Sequence, residues 1–217
     1  LARLGFVAQD RPLYRGFTVD ETLRFGARLN PRWDDEMARR HLTRLNIPFG
    51  QRVGKLSGGQ QSQVALILAL AKRPDLIVLD EPVAALDPLA RREFLQLLID
   101  ATIETGLTVL LSSHLVGELE RVCDYVVILN NSQVQFSGGL DAFVSGHRVL
   151  VRSGPVPDHS LTGLDIIQNS QFNRETRLLV RADGRSLDPD WDVREPGFEE
   201  IVLAYLGRSD TRKEATR

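Results

Sequence analysis

Two adjacent carboxylates, Asp80 and Glu81, follow directly after the apolar run at residues 76–79. A short continuous apolar run is typical of a strand that is buried on both faces of a parallel sheet. In such sheets ligands bind outside the carboxyl ends of the strands. One carboxylate there can hold Mg²⁺ against phosphate groups while the other orients or deprotonates an attacking water. The pair therefore indicates phosphoryl-transfer chemistry, with an ordinary solvated strand end as the alternative.

Two further features fit the same chemistry. Ser57, Gly58 and Gly59 open a long helical pattern, and the free amides and dipole of a helix start favour an anion such as phosphate. His114 follows a second apolar run at residues 108–111 and can hydrogen-bond a phosphate. Taken singly, each feature has a plainer interpretation, because a glycine pair also makes a flexible loop and a lone histidine is more often structural.

These residues need a sheet and helices to position them. Capping residues and apolar periodicity predict strands at residues 5–9, 76–79 and 108–111, helices at 19–29, 34–45, 58–73, 88–104 and 115–122, and a hairpin of 125–129 with 133–136. Helices that alternate with buried strands favour an α/β fold with a parallel sheet and helices on both of its faces.

The pattern changes near Gly146, where we predict a domain boundary. A short helix at residues 140–145 precedes three predicted strands at 147–152, 164–168 and 177–181 and a final helix at 197–206. We therefore expect a main domain at residues 1–146, a small C-terminal α+β appendage at 147–207, and a disordered polar tail at 208–217.

Composition narrows the functional classes. The 217 residues include 27 Lys and Arg against 29 Asp and Glu, a net charge of −2, so no basic excess marks a nucleic-acid binder. A single cysteine, Cys123, excludes an internal disulfide. Apolar stretches are too short to cross a bilayer, which predicts a soluble chain. His41, His147 and His159 lack metal-ligand spacing and are predicted to lie at the surface.

Five motifs occur in an order that carries a family resemblance. They are Gln9 after a strand, Leu56-Ser57-Gly58-Gly59-Gln60, Leu76-Ile77-Val78-Leu79-Asp80-Glu81-Pro82, Ala85-Leu86-Asp87 and Ser113-His114. Together they resemble the nucleotide-binding subunit of the ATP-binding cassette (ABC) family, over about residues 6–137. The resemblance implies a P-loop NTPase-like parallel sheet, with a helical signature subdomain at about residues 18–72, and ATP and Mg²⁺ as cofactors.

The resemblance assigns a role to each matching residue. Asp80 is similar to the Mg²⁺-holding Walker B aspartate, Glu81 to the catalytic glutamate, and His114 to the switch histidine that contacts the γ-phosphate. Gln9 resembles the Q-loop glutamine, which senses the metal and the attacking water. The remaining matches contact the nucleotide or the dimer interface: the signature loop Leu56, Ser57, Gly58, Gly59 and Gln60, which meets ATP held by the opposing subunit, and the D-loop Asp87.

The chain departs from the family pattern at three places, one of which is the D-loop opening, where Ala84-Ala85 replaces the commoner Ser-containing sequence but Asp87 is kept. The family's phosphate cradle, G-x-x-x-x-G-K-[ST], does not occur in the 217 residues, because Leu56 follows the only Gly-Lys pair where Ser or Thr is required. We therefore expect an N-terminally truncated cassette that alone neither binds ATP tightly nor hydrolyses it. Uncharged Gln61, Ser62 and Gln63 stand where the family usually has basic residues.

The leading functional hypothesis is the ATPase subunit of a membrane exporter. Residues 18–25 resemble ABC-2 type exporters of drugs and antibiotics, and in the family this region docks the transmembrane subunit, for which Phe17 and Phe25 offer apolar contacts. The implied partners are a transmembrane permease and a second nucleotide-binding subunit, at the cytoplasmic face of the cell membrane, with no nucleic acid. The alternatives are a catalytically dead ABC-derived interaction protein and a soluble ABC ATPase acting on DNA or the ribosome.

Overall fold

The computed structural model describes residues 3–154, 156, 161–172, 174–185 and 187–208. The chain divides into two units, Leu1–Leu115 and Val116–Arg217. The sequence-predicted boundary near Gly146 falls inside the second of these units. Of the predicted tail, residues 209–217 lie outside the described residues. No helix within the described ranges is both long enough and apolar enough to span a bilayer.

A parallel sheet organises the first unit. Its strands β1 (Leu4–Val7), β2 (Leu76–Asp80) and β3 (Thr108–Ser112) lie in the order β1-β2-β3. The register pairs Val7 with Leu79 and Asp80 with Ser112. All three carboxyl ends therefore meet at one edge, which confirms the predicted α/β class with a parallel sheet.

The two faces of this sheet differ. Val7, Ile77 and Leu79 are buried on the face that α3 (Gly58–Ala71) covers. On the opposite face, the side chains of Phe6 and Leu110 are 59% and 57% exposed. The prediction of helices on both faces was therefore wrong for the part of the chain that the structure describes, because apolar strands alone do not reveal how many helices are present to cover them.

Three helices connect β1 to β2 and pack on one another: α1 (Val19–Leu29), α2 (Asp35–Arg44) and α3. Thr18 and Glu21 form a capping box at the start of α1, as predicted, because each side chain satisfies a backbone amide that has no partner inside the helix. The short 3₁₀ turn Val53–Lys55 precedes α3. Helix α4 (Pro88–Thr105) joins β2 to β3 and ends at Gly106, whose φ of 67° suits glycine.

The second unit combines a hairpin, helices and an antiparallel sheet. Its elements are α5 (Val116–Leu119), β4 (Tyr125–Asn130), β5 (Gln133–Gly139), α6 (Leu140–Ser145), β6 (His147–Ser153), β7 (Asp165–Phe172), β8 (Glu175–Arg181), β9 (Asp192–Arg194) and α7 (Phe198–Gly207). Strands β4 and β5 pair as the predicted hairpin, and the other four form a sheet in the order β7-β8-β6-β9. Strand β9 was not predicted, because its three residues are all exposed and carry no apolar alternation.

One apolar cluster holds the second unit together. Ile128 of the hairpin, Phe143 of α6, Leu179 of the sheet and Tyr205 of α7 share it. The hairpin and α6 therefore pack on the same core as the C-terminal sheet, which is why the unit begins before residue 146.

Two histidines lie in the interior. The exposed fractions of His41 and His147 are 4% and 1%, so the prediction that they lie at the surface was wrong. Each lies on the buried face of its element, His41 with Met37 and Leu42 on α2 and His147 with Val149 and Val151 on β6. Whether such a residue is solvated depends on tertiary packing rather than on residue type. His159 lies outside the described residues.

Candidate functional site

The carboxyl edge of the parallel sheet brings Asp80 and Ser112 together. They are paired residues on β2 and β3, and Ser112 Oγ donates a hydrogen bond of 2.8 Å to Asp80 Oδ1. The backbone N–H of Glu81 in turn donates to Ser112 Oγ over 2.9 Å. One serine hydroxyl therefore orients both an aspartate side chain and the backbone of the next residue.

Glu81 leaves the strand in an unusual conformation. Its φ is 45°, in the left-handed region that non-glycine residues seldom adopt, and the Ser112 hydrogen bond helps to hold it there. The Oε2 atom of Glu81 lies 2.7 Å from Nδ1 of His114, which is two residues beyond the end of β3. The structure therefore unites Asp80, Glu81 and His114 in one cluster.

Ser112 is the member of this cluster that sequence reasoning missed. The sequence signal for Ser112 is its place at the end of a strand that runs parallel to the strand ending in Asp80. The two residues are 32 positions apart, and only the register of the two strands makes the serine the partner of Asp80.

Asp80 suits a hard cation. Its side chain is exposed, and Oδ2 forms no hydrogen bond or ion pair within the described residues. The same residues contain no group of three or more His, Cys, Asp or Glu side chains that could hold a metal. Mg²⁺ is typically bound through one or two carboxylates, with phosphate and water completing its shell, so a single free carboxylate oxygen fits this metal. Gln9 lies two residues beyond β1, at the same edge of the sheet.

The segment Leu56–Gln60 forms the start of α3. Ser57 is the N-cap residue, and Ser57 with Gln60 forms a capping box through hydrogen bonds of 3.2 and 3.1 Å. Leu56 is only 5% exposed and anchors the loop, while Ser57 and Gly58 are exposed.

The two glycines of this segment differ in their surroundings. A methyl group on Gly59 would lie 2.9 Å from the Cβ of Ala90, whereas one on Gly58 would meet nothing within 4 Å. Gly59 is therefore required for the close approach of α3 to α4. Gly58 leaves its backbone open to a ligand, as an anion site at a helix start needs.

Asp87 caps the next helix. Its Oδ1 accepts hydrogen bonds of 3.0 Å from the backbone N–H groups of both Leu89 and Ala90 at the start of α4. Among the described residues no hydrogen bond joins Asp87 or the start of α3 to the Asp80 cluster. The sequence-predicted residues thus form three groups: the carboxyl edge with Gln9, the start of α3, and the start of α4.

Comparison with known proteins identifies the family. The model of the ABC transporter family matches residues 1–84, which include β1, the start of α3 and the Asp80–Glu81 pair. Residues 1–84 therefore carry part of an ABC transporter ATP-binding domain. ABC ATP-binding domains as a class bind ATP, and their P-loop NTPase fold agrees with the parallel sheet of the first unit.

Individual relatives of the ABC domain extend along most of the chain. YtrB of Bacillus subtilis, an ABC transporter ATP-binding protein, is 26% identical over 93% of this chain and 72% of its own length. The linearmycin resistance ATP-binding protein LnrL of the same organism is 26% identical over 95% and 75%. The thiamine import ATP-binding protein ThiQ of Jannaschia sp. is 34% identical over 66% and 65%.

The fold comparison agrees with this family. A solved structure of the ATP-binding subunit of an ABC transporter superposes with a TM-score of 0.57 and 28% identity, covering 66% of this chain and 62% of that one. The chain spans less than half the length of several other curated relatives of the ABC domain.

Proposed function

We propose that the chain is the ATP-hydrolysing subunit of a membrane exporter of the drug or antibiotic type. The observation that carries this proposal is the cluster at the carboxyl edge, in which Ser112 binds both Asp80 and the backbone of Glu81 while His114 contacts the Glu81 carboxylate. The two carboxylates have separate partners, Ser112 for Asp80 and His114 for Glu81. They can therefore perform separate tasks, as phosphoryl transfer requires.

The chain's own residues would divide the chemistry as follows. Asp80 would hold Mg²⁺, which when bound neutralises charge on the phosphates. Glu81 would accept a proton from the attacking water or orient it, and His114 holds the Glu81 carboxylate through Nδ1. The Nε2 atom of His114 has no hydrogen-bond partner within the described residues and is available for the γ-phosphate. Gln9 would sense the same site from the end of β1.

A second copy of the nucleotide-binding subunit completes the proposed site. The segment Leu56–Gln60 would contact the phosphates of ATP held by the opposing subunit, with Gly58 open for that approach, and Asp87 would lie at the dimer interface. ATP would close the dimer and hydrolysis would reopen it, so that ATP turnover drives movement in the membrane partner.

An exposed aromatic cluster supports a permease partner. The ring of Tyr14 lies 5.2 Å from that of Phe17 and 5.5 Å from that of Phe25, and the exposed fractions of Tyr14, Phe17 and Phe25 are 59%, 36% and 39%. Tyr14 and Phe25 also line a largely apolar groove of about 440 Å³ beside α1. We propose that a segment of the permease binds here, which would hold the chain at the cytoplasmic face of the membrane.

The direction of transport rests on the relatives. LnrL is named for resistance to linearmycin, which favours export, whereas ThiQ is named for thiamine import. The resemblance of residues 18–25 to ABC-2 exporters favours export for this chain. In inside-out membrane vesicles an exporter would accumulate its substrate when ATP is added outside, and an importer would not.

The test is ATP hydrolysis by the transporter complex purified from membranes of the host through a tag on this protein. We expect Glu81→Gln to lower the rate about 100-fold or more, because the water loses its general base. Glu36→Gln is the matched control, since the Glu36 carboxylate is 91% exposed on α2. A complex with no Glu81-dependent hydrolysis would support the catalytically dead alternative, and recovery with ribosomes or DNA would support the soluble one.

A further inference from the structure

Arg11 lies in the turn that follows β1, two residues beyond Gln9. Its φ is 49°, a value that a residue with a side chain rarely adopts, and its backbone N–H donates to the carbonyl of Ala8 over 3.0 Å. An arginine at such a position gains nothing from its backbone that glycine or asparagine would not provide. The contacts of its side chain distinguish it.

The Arg11 side chain spans to the start of α3. Its Nη1 donates to the Gly58 carbonyl over 3.0 Å and to Ser62 Oγ over 2.5 Å. Ser62 is fully buried, and its Oγ donates to the same Gly58 carbonyl over 3.1 Å. These three bonds form a closed triangle, so the guanidinium fixes the first turn of α3 from a residue 47 positions earlier in the chain.

The charge of Arg11 is also unusual for its place. The start of a helix carries a partial positive charge and normally attracts acidic side chains, yet the first turn of α3 has none. Among the described residues, no carboxylate lies within salt-bridge distance of Arg11. The cation therefore adds to the positive potential of the helix start, an arrangement that favours an anion at the same place.

We infer that Arg11 is a positioning residue that fixes the Leu56–Gln60 loop and supplies the positive charge beside it. The inference rests on the proposed function, in which this loop contacts the phosphates of ATP. Gln61, Ser62 and Gln63 are uncharged, so the first turns of α3 carry no positive side chain of their own. Arg11 supplies a positive charge there from the turn after β1. The short Ser62 side chain leaves room for the guanidinium.

Arg11 also connects two parts of the proposed machinery. It lies between Gln9 at the carboxyl edge and Tyr14 of the aromatic cluster, and its side chain ends at Gly58. A displacement of the turn by a partner bound at Tyr14 would therefore be transmitted to the loop by hydrogen bonds rather than through the length of α1 and α2.

The experiment compares Arg11→Ala, Arg11→Lys and Ser62→Ala by amide hydrogen exchange of the full chain without nucleotide. We expect Arg11→Ala to speed exchange at Gln60, Gln61 and Ser62 about tenfold, since loss of one or two hydrogen bonds has about that effect. Arg11→Lys should restore part of the protection, because lysine keeps the charge and one donor. Ser62→Ala combined with Arg11→Ala should add little to either alone.

Arg15→Ala is the matched control, because Arg15 is an exposed arginine in the same turn region. Two results would overturn the inference. One is exchange in Arg11→Ala that stays within about twofold of the wild type at the three amides. The other is exchange that rises equally throughout α1 and α2.

The kinetics of the transporter complex provide a second test. Arg11→Ala should lower kcat about tenfold and leave KM for ATP near its wild-type value. An unchanged kcat would also overturn the inference. Absence of Glu81-dependent hydrolysis in the wild-type complex would instead overturn the proposed function, while the exchange result would stand.

Discussion

Nδ1 of His114 lies 2.7 Å from Oε2 of Glu81. The two residues are 33 positions apart. Glu81 directly follows β2, and His114 lies two residues beyond the end of β3. The contact holds the Glu81 side chain, which is 21% exposed, beneath an imidazole that is 64% exposed. The histidine is therefore the member of the pair that an incoming ligand meets first.

This pair predicts non-additive kinetics. In the transporter complex His114→Ala should lower kcat for ATP hydrolysis about 100-fold, because the Glu81 carboxylate loses the contact that orients it. Combined with Glu81→Gln, it should cause little further loss, since residues that act as a unit are not additive. Steady-state hydrolysis of the two single variants and the double variant measures this. Fully multiplicative losses would mean that the residues act independently.

Ser112 should matter for stability as well as for turnover. Ser112→Ala removes the hydrogen bonds to Asp80 and to the Glu81 amide, so we expect a loss of about 1–2 kcal/mol in the free energy of unfolding. Ser112→Thr keeps the hydroxyl and should retain most of that stability. Urea denaturation compares the variants, and equal midpoints for wild type and Ser112→Ala would contradict the role assigned to the hydroxyl.

The two glycines at the start of α3 should respond in opposite ways. Gly59→Ala forces a methyl group to 2.9 Å from Ala90, and overpacking of this kind costs about 1–3 kcal/mol. Gly58→Ala meets nothing within 4 Å and should leave the free energy of unfolding within about 1 kcal/mol of wild type.

The functional result separates these variants further. Gly58→Ala should fold normally yet lower ATP hydrolysis by the complex, because its methyl group would occupy the side from which we propose that phosphate approaches. Urea denaturation and hydrolysis assays on the same preparations provide the comparison. Normal hydrolysis by a stable Gly58→Ala complex would argue against phosphate contact at this loop.

The 217 residues by themselves should neither bind ATP tightly nor turn it over. They contain no G-x-x-x-x-G-K-[ST] segment to cradle the phosphates. Equilibrium dialysis with labelled ATP and a coupled hydrolysis assay check this, with Glu81→Gln protein as the background. Steady turnover by the purified chain that is abolished by Glu81→Gln would show that another part of these residues binds the phosphates.

The second unit should lose stability in mild acid. His147 Nδ1–H donates to the Phe143 carbonyl over 2.6 Å, and Nε2 accepts from the Tyr205 hydroxyl over 2.9 Å. Burial lowers the pKa of His147, in spite of the Phe143 carbonyl and the nearby carboxylates of Asp183 and Asp165, while Arg181 adds to the lowering. Burial also raises the pKa of Tyr205 to about 12, so its hydroxyl keeps the proton that it donates.

The sign of the pH effect follows from that lowered pKa. As the pH falls below about 6.5, the unfolded chain protonates its histidine before the folded chain does, so stability is full above that pH and declines below it. Fluorescence of Trp191, in a Trp33→Phe background, reports unfolding of the second unit in urea. The midpoint should drop between about pH 7.5 and pH 5.5, and His147→Gln should reduce the drop. An identical pH dependence in the two proteins would exclude His147 as its source.

Much of the fold follows from local signals. The capping pairs Thr18 with Glu21 and Ser57 with Gln60 mark the starts of α1 and α3, because a helix start needs partners for its free amides wherever it lies. Pro88 and Gly106 likewise bound α4. Such signals depend on neighbours within one turn of the chain, which is why they can be predicted without tertiary information.

Other features depend on contacts that no local pattern contains. The covered and uncovered faces of the sheet, the burial of His41 and His147, and the strand β9 were not predicted. Each depends on which distant segments pack nearby, and residue type alone does not specify that.

The sequence by itself determined the family and the candidate chemistry, because the types, order and spacing of Gln9, Leu56–Gln60, Asp80, Glu81 and His114 are properties of the chain. Only the tertiary structure decided how those residues are held. The parallel register placed Ser112 beside Asp80, and packing carried the Arg11 guanidinium to Gly58 and Ser62. Hydrogen bonds between residues 31 to 51 positions apart form only when the whole unit has folded, so the partners of the proposed catalytic groups are set by packing and not by local sequence.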